Sequence, residues 1–386
     1  MASLLLAIIY LCFISLGLPD SLLGSAWPVM QGELGVPVSY AGIISSVIFL
    51  TTILATLFTD RLLRKFGSYR VTLVSTVLTA AALFGFSVSD RFWMLILFAI
   101  PYGLGAGGVD AILNNYVALH YKPQHMSWLH CMWGVGASVS PYIMSFSLLR
   151  LNEWSYGYLA VSVIQALICI IILVSRPMWK SGIPSDTDGD STAGHVSFKE
   201  LFKIKGALPC LIIAFSYCSM ELTTSLWLST YLVEKWTFSP ESAAGYASMF
   251  YIGITVGRFI NGFLSMKLSD QKLIRMSLVI VSLGIAMLFL PSSTLTLVGF
   301  TVIGLGGSPI YPCLIHMIPD VFGKDKSQAM IGVQMAFSYV GFLIMPTLFG
   351  IVAEWTTVSI LPFYQIIFLA IMIIMHEIVI KSTKKG

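Results

Sequence analysis

Charge is what this chain has least of. Asp, Glu, Lys and Arg make up only 10% of its 386 residues, against 57% hydrophobic ones, and mean hydropathy is +0.86. A soluble domain needs about 25% charged residues to cover its surface. A chain this poor in charge has no polar coat to turn to water on every side, so its outer solvent is lipid. Cysteine is scarce too: Cys12, Cys131, Cys169, Cys210, Cys218 and Cys313 all fall within apolar runs. They read as small buried hydrophobes and exclude a disulfide framework. No Gly-x-x-x-x-Gly-Lys-Ser/Thr loop is present, which excludes nucleotide binding of the Walker kind. Ser-His-Asp nucleophile signatures and clustered Cys/His metal spacings are absent as well. The reading is therefore of no enzyme, no cofactor and no metal, with any transport passive or driven by an ion gradient. Met1 to Leu18 holds no Lys or Arg, and the apolar run continues past Asp20 to Trp27. A cleaved signal peptide needs a basic leader, so this run is expected to stay as a first span.

What the chain does have is long apolar runs. A span needs about 20 apolar residues. Breaks at Gly, Pro and charge clusters predict spans at 4–29, 39–60, 69–88, 91–119, 126–149, 154–175, 206–233, 241–266, 272–290, 294–319, 327–352 and 357–380. Alternate loops at 60–70, 119–127, 176–205, 267–275 and 320–326, with the tail after Val379, carry 18 of the 22 Lys and Arg residues. The opposite loops hold only Arg91, Arg150 and Lys235, and Arg258 lies inside a span. Positive residues stay cytoplasmic, which puts both termini there and requires an even number of spans. The stretch from Arg176 to Lys205 is the one long polar segment, with an acidic flexible core from Ser181 to Asp190. It is expected to tether two parts of the chain, and Val196 to Ile204 to form a short surface helix.

The two parts match. Gly103-Leu104-Gly105 recurs 201 residues on as Gly304-Leu305-Gly306, and Gly136 with Pro141 recurs 205 on as Gly341 with Pro346. Ala41-Gly42 recurs 203 on as Ala244-Gly245, and the acids Asp20 and Glu221 stand 201 apart. Four matches in order, drifting by four residues, indicate a duplicated unit. Two six-helix parts in parallel topology, with a site between them at mid-membrane, describe the major facilitator design of rocking halves. The expected domains are residues 1–175, a cytoplasmic linker at 176–205, and residues 206–386.

Ionisable residues inside spans cost free energy and usually face a cavity. Asp20 follows Pro19, with Gly24 and Trp27 on its face. Asp110 has Asn114 one turn on and Asn115 beside it. Tyr217, Glu221 and Ser225 form a polar stripe in span seven with Trp227 near its end, and Arg258 in span eight is a possible counter-charge. His130 with Trp133 on span five, and Gln334 with Ser338 on span eleven, are further candidates.

Gly108-Val-Asp110-Ala-Ile-Leu-Asn114-Asn115, then Trp128-Leu-His130-Cys-Met-Trp133-Gly134-Val-Gly136, resemble spans four and five of the fucose–galactose–glucose:proton symporter family within the major facilitators. Tyr217-Cys-Ser-Met-Glu221, Trp227-Leu-Ser-Thr-Tyr231, Gly257-Arg258-Phe-Ile-Asn261-Gly262 and Gly307-Ser-Pro-Ile-Tyr-Pro312 are similar to its later spans. The resemblance implies that Asp20 and Asp110 are functional carboxylates. It also places His130 and Trp133 where fucose-carrying members have a glutamine that contacts the sugar and an asparagine. Asp60, Arg61, Arg64 and Arg70 resemble the superfamily's cytoplasmic gate loop between spans two and three, with looser spacing.

The fold expected is thus all-α integral membrane, twelve transmembrane helices in two pseudo-symmetric six-helix halves. The function expected is proton-coupled symport of a monosaccharide-like solute in the plasma membrane. A sugar offers hydroxyls and an apolar face, so its site wants carboxylates, amides and aromatic plates. Asp20, Asn114, Asn115, His130, Glu221 and Gln334 supply the first two kinds, and Trp27, Trp133 and Trp227 the third. Asp110, and also Asp20, are the candidates to carry the proton. Partners expected are the solute, protons or sodium, and lipid, with no nucleic acid, no protein partner, and a monomer. Two other readings stay open: an efflux antiporter for lipophilic cations, and a non-transporting receptor of the same fold.

Overall fold

The computed structural model describes residues 2–121, 123–179 and 204–383, and among them there is no β-strand. The expected surface helix from Val196 and most of the expected linker lie outside the described residues, as does the side chain of Asp60. The long helices are α1 (Ala2–Asp20), α2 (Leu22–Glu33), α3 (Tyr40–Ser87), α4 (Phe92–His120), α5 (Pro123–Leu151) and α6 (Ser155–Val174). After the central segment come α7 (Ala207–Trp236), α8 (Pro240–Leu264), α9 (Asp270–Met287), α10 (Ser293–Gly307), α11 (Ile310–His316), α12 (Ile318–Phe322), α13 (Lys324–Trp355) and α14 (Leu361–Thr383). Among the described residues, ten stretches are long and apolar enough to cross a membrane. The 29-residue α5 and the 18-residue α9, which opens with Asp270, Lys272 and Arg275, are two further helices at the places of expected spans five and nine.

Three breaks refine the expected spans. The first span divides at Ser21 into α1 and α2, just past Pro19. Proline has no N–H to give to the carbonyl four residues back, and in an apolar interior that carbonyl must find another donor. Gln165 of α6 supplies it, donating its side-chain amide to the Ser15 carbonyl. Between spans two and three, where a loop at 60–70 is expected, α3 continues as helix to Phe66 and turns on Gly67 alone, at φ 75° and ψ 160°. Charged residues leave the membrane without leaving the helix, and only a glycine adopts that backbone cheaply. Span ten, expected as one helix, breaks at Ser308-Pro309 between α10 and α11.

The sequence repeat is a repeat of contacts. A Cβ on Gly136 would come within 2.0 Å of the Ile14 carbonyl and 2.9 Å of the Leu18 amide, tying α5 to α1. A Cβ on Gly341 would come within 2.8 Å of the Phe215 carbonyl and 3.4 Å of the Ser219 amide, tying α13 to α7. A Cβ on Gly103 would come within 2.2 Å of the Ile48 carbonyl, and one on Gly304 within 2.3 Å of the Phe250 carbonyl. Each partner is displaced by about the same two hundred residues. The relation also holds between the two sets of helices: Gly42 of α3 packs on Thr347 of α13, and Gly245 of α8 on Ser145 of α5. Small residues let helix backbones approach in lipid, where no hydrophobic force drives them together.

Those last contacts gather at one end. Ser39, just before α3, donates to Glu354 near the end of α13, and Gly350 lies against Ser39. Ser46 donates to the Leu343 carbonyl at 2.7 Å, and Thr347 to the Gly42 carbonyl at 2.8 Å. The bundle is thus held together at the end opposite the two termini.

Candidate solute site

Asp20 is the C-terminal residue of α1, placed there by the break after Pro19. The mutual glycine contacts of α1 and α5 (Gly17 against the Trp133 carbonyl, Gly136 against Ile14) set Trp133 beside it. The Trp133 indole N–H donates to Asp20 Oδ2 at 2.7 Å, and the Tyr102 hydroxyl of α4 donates to Oδ1 at 2.7 Å. Both oxygens keep lone pairs free. Asp20 is exposed although it lies mid-span, flanked by α4 and α5, so it borders an opening in the bundle.

The same tryptophan reaches the other set of helices. The Arg258 guanidinium of α8 sits over the Trp133 ring, 4.9 Å from its centroid, within cation–π range. Arg258 Nη2 lies 3.7 Å from Glu221 Oε1 of α7, which makes Glu221 the partner of the expected counter-charge. Arg258 Nη1 donates to the His130 carbonyl at 3.4 Å. Tyr251 of α8 stands edge-on to Trp133 with centroids 6.5 Å apart, and its hydroxyl bonds Ser225 of α7. Asp20, Trp133, Arg258 and Glu221 therefore form one chain of contacts from α1 through α5 to α8 and α7. Beside Glu221 a cavity of about 10 Å³, room for one water, is lined by Tyr217, Thr224, Ile254 and Gly307 among others.

Asp110 is a separate station. It accepts from Asn114 Nδ2 at 2.9 Å, the expected one-turn pair on α4, and no arginine or lysine pairs with it among the described residues. Asn115 and His130 are exposed, the latter edge-on to Phe13. Three expected site residues are not with the others. Trp27 and Trp227 are fully buried, with indole N–H groups given to the Val38 and Pro346 carbonyls. Gln334 is fully buried against Cys210. Packing between helices takes up these side chains in this conformation, and the break at Ser21 puts Trp27 on a different helix from Asp20. Of the expected gate residues, Arg61 lies over the Phe58 ring, and Arg64 and Arg70 are exposed. The sequence reading passed over Tyr102 and Tyr251. The signal was a tyrosine hydroxyl in an otherwise apolar span, which needs a buried partner.

A family model described as Major Facilitator Superfamily matches residues 9–244 and again residues 210–385. The chain belongs to that superfamily. Two overlapping matches to one model agree with the duplicated contacts, and the major facilitator fold has twelve helices in two pseudo-symmetric halves. The chain is a multi-pass membrane transporter of the superfamily, not an enzyme. It is 21% identical over 322 residues to the glucose/mannose transporter GlcP of Bacillus subtilis, covering 82% of this chain and 80% of that one. It is 22% identical over 349 residues to the quinolone resistance protein NorA of Staphylococcus aureus, covering 89% and 87%. The crystal structure of the nucleoside transporter NupG superposes with a TM-score of 0.78 at 13% identity, over 97% of this chain and 98% of that one. At that identity the likeness is one of fold.

Proposed function

We propose that this major facilitator imports a monosaccharide, or a similarly small polar solute, together with a proton. One observation carries the reading: an exposed mid-span carboxylate, Asp20, held by an indole N–H and a phenol O–H, with acceptor capacity left over. Such a carboxylate accepts solute hydroxyls, and the aromatic walls suit an apolar sugar face. Asp110 supplies the second requirement. It is a mid-span carboxyl with no described arginine or lysine paired to it, and such a group is suited to carrying a proton through the cycle. The name of GlcP agrees with the solute class. The halves, 1–175 and 206–386 joined by 176–205, rock about the site as a monomer in the plasma membrane, with both termini cytoplasmic.

The name of NorA favours a second reading, drug export. Arg258 weighs against lipophilic cations, because a guanidinium over Trp133 and beside Glu221 repels them. A thermal-shift screen of the purified protein separates the two. Neutral monosaccharides are expected to raise the unfolding midpoint and tetraphenylphosphonium to leave it unchanged; the reverse pattern overturns the sugar reading. In proteoliposomes, uptake is expected to follow an imposed proton gradient and ignore a sodium gradient.

A further inference from the structure

Arg258 is a poorly satisfied cation in the interior of the bundle. Its Nη2 is 3.7 Å from Glu221, an ion pair but too long for a hydrogen bond, and its Nη1 makes one bond of 3.4 Å to a backbone carbonyl. Its Nε is buried and has no hydrogen-bond partner among the described residues. A guanidinium carries five N–H donors in a planar fork, and a buried donor left unmade is costly. Yet the fork is not loose. It is stacked at 4.9 Å on the Trp133 indole, whose N–H holds Asp20. A fixed plane of donors, underused and one side chain away from an exposed carboxylate, is a half-built site for a molecule with oxygen acceptors.

We propose that Arg258 is a direct ligand of the transported solute, its fork receiving two adjacent oxygen acceptors while Glu221 serves as counter-ion in the empty site. This rests on the reading of a small polar solute given above and adds to it. Asp20 in the first half takes hydroxyl donors, and Arg258 in the second takes an acceptor pair. The solute then has both, about one ring apart, and binding it joins the halves at mid-membrane. Two neighbouring hydroxyls of a neutral sugar supply the acceptor pair, and so does the carboxylate of a sugar acid. Lysine keeps the charge but not the fork, so Arg→Lys is not conservative at such a site.

The test titrates purified wild type, Arg258→Lys and Arg258→Met with D-glucose and with D-glucuronate, reading tryptophan fluorescence for binding and the unfolding midpoint for integrity. The expectation is that wild type binds D-glucose and that Arg258→Lys loses affinity about tenfold or more while keeping the wild-type midpoint. If Arg258→Lys binds D-glucose as wild type does, Arg258 is only a counter-charge; the inference falls and the sugar reading stands. If wild type binds D-glucuronate alone, and Arg258→Lys loses it, the inference stands and the neutral sugar falls. If wild type binds neither probe, both are overturned. Should Arg258→Met misfold, Arg258→Lys still decides.

Discussion

Asp20 and Asp110 are both carboxylates inside apolar helices, but their surroundings assign them different work. Asp20 is bonded by groups from α4 and α5 and is exposed, whereas Asp110 has the Asn114 amide of its own helix and no arginine or lysine paired with it among the described residues. Asp20→Asn is therefore expected to damage solute binding, by about 1–3 kcal/mol for a lost buried partner, measured as the shift of a binding isotherm. Asp110→Asn is expected to abolish uphill accumulation in membrane vesicles and leave solute counterflow near wild type. The membrane potential contributes about 2.3 kcal/mol per charge per 100 mV to a proton-coupled step, and a carrier that cannot titrate loses that drive. Wild-type accumulation by Asp110→Asn would move the proton elsewhere, with Glu221 the next group to examine. Asp20, Asp110, Glu221 and Arg258 were legible in the sequence because a charge in an apolar run stands out against its cost. Tyr102 was not, since a tyrosine adds little contrast there. Trp27, Trp227 and Gln334 read as site residues because helical period gives a face but not what the face meets.

Helix crossings are set by glycines, and their closeness ranks them. The α1–α5 crossing leaves 2.0 Å between a Cβ on Gly136 and the Ile14 carbonyl, while the α7–α13 crossing leaves 2.8 Å at Gly341. Both neighbours are backbone, which cannot rotate away as a side chain can. Gly136→Ala is expected to destabilise by about 1–3 kcal/mol or more, the usual cost of overpacking, and Gly341→Ala by less. Thermal unfolding of the two variants checks the order, and an equal or reversed order would mean that the crossings relax differently than the backbone distances imply. Span positions were readable to a few residues because hydropathy marks the apolar stretch. The breaks at Ser21, Gly67 and Ser308-Pro309 were only partly readable. Hydropathy is blind to them, Pro19 hinted at the first, and the donor that makes it tolerable, Gln165, sits 150 residues away from Ser15.

The repeat made the whole-molecule plan visible in advance, since two units offset by about two hundred residues can be related by one axis. Sidedness is proposed from the charge of the loops alone. A cysteine in place of the exposed Lys65 is expected to resist an impermeant thiol reagent on intact cells and to react in inverted vesicles; labelling from outside would invert the topology. Which end of the bundle is shut belongs to conformation and no sequence pattern gives it. Here the far end is shut by Ser39 on Glu354, with Gly42 on Thr347 and Gly245 on Ser145 behind it. If the halves rock, these contacts must part once in every cycle, because a solute arriving from that side has no other way in. Paired cysteines at Ser39 and Glu354, joined by an oxidant or a short bifunctional reagent, are then expected to stop uptake almost completely, and reduction of the disulfide to restore it. The native cysteines do not interfere, as five of the six are buried. The same pair at Ser46 and Thr347, one to two turns deeper, should behave alike. Uptake at wild-type rate through a fully cross-linked protein would mean that this end never opens, and rocking about the Asp20–Arg258 level would have to be abandoned.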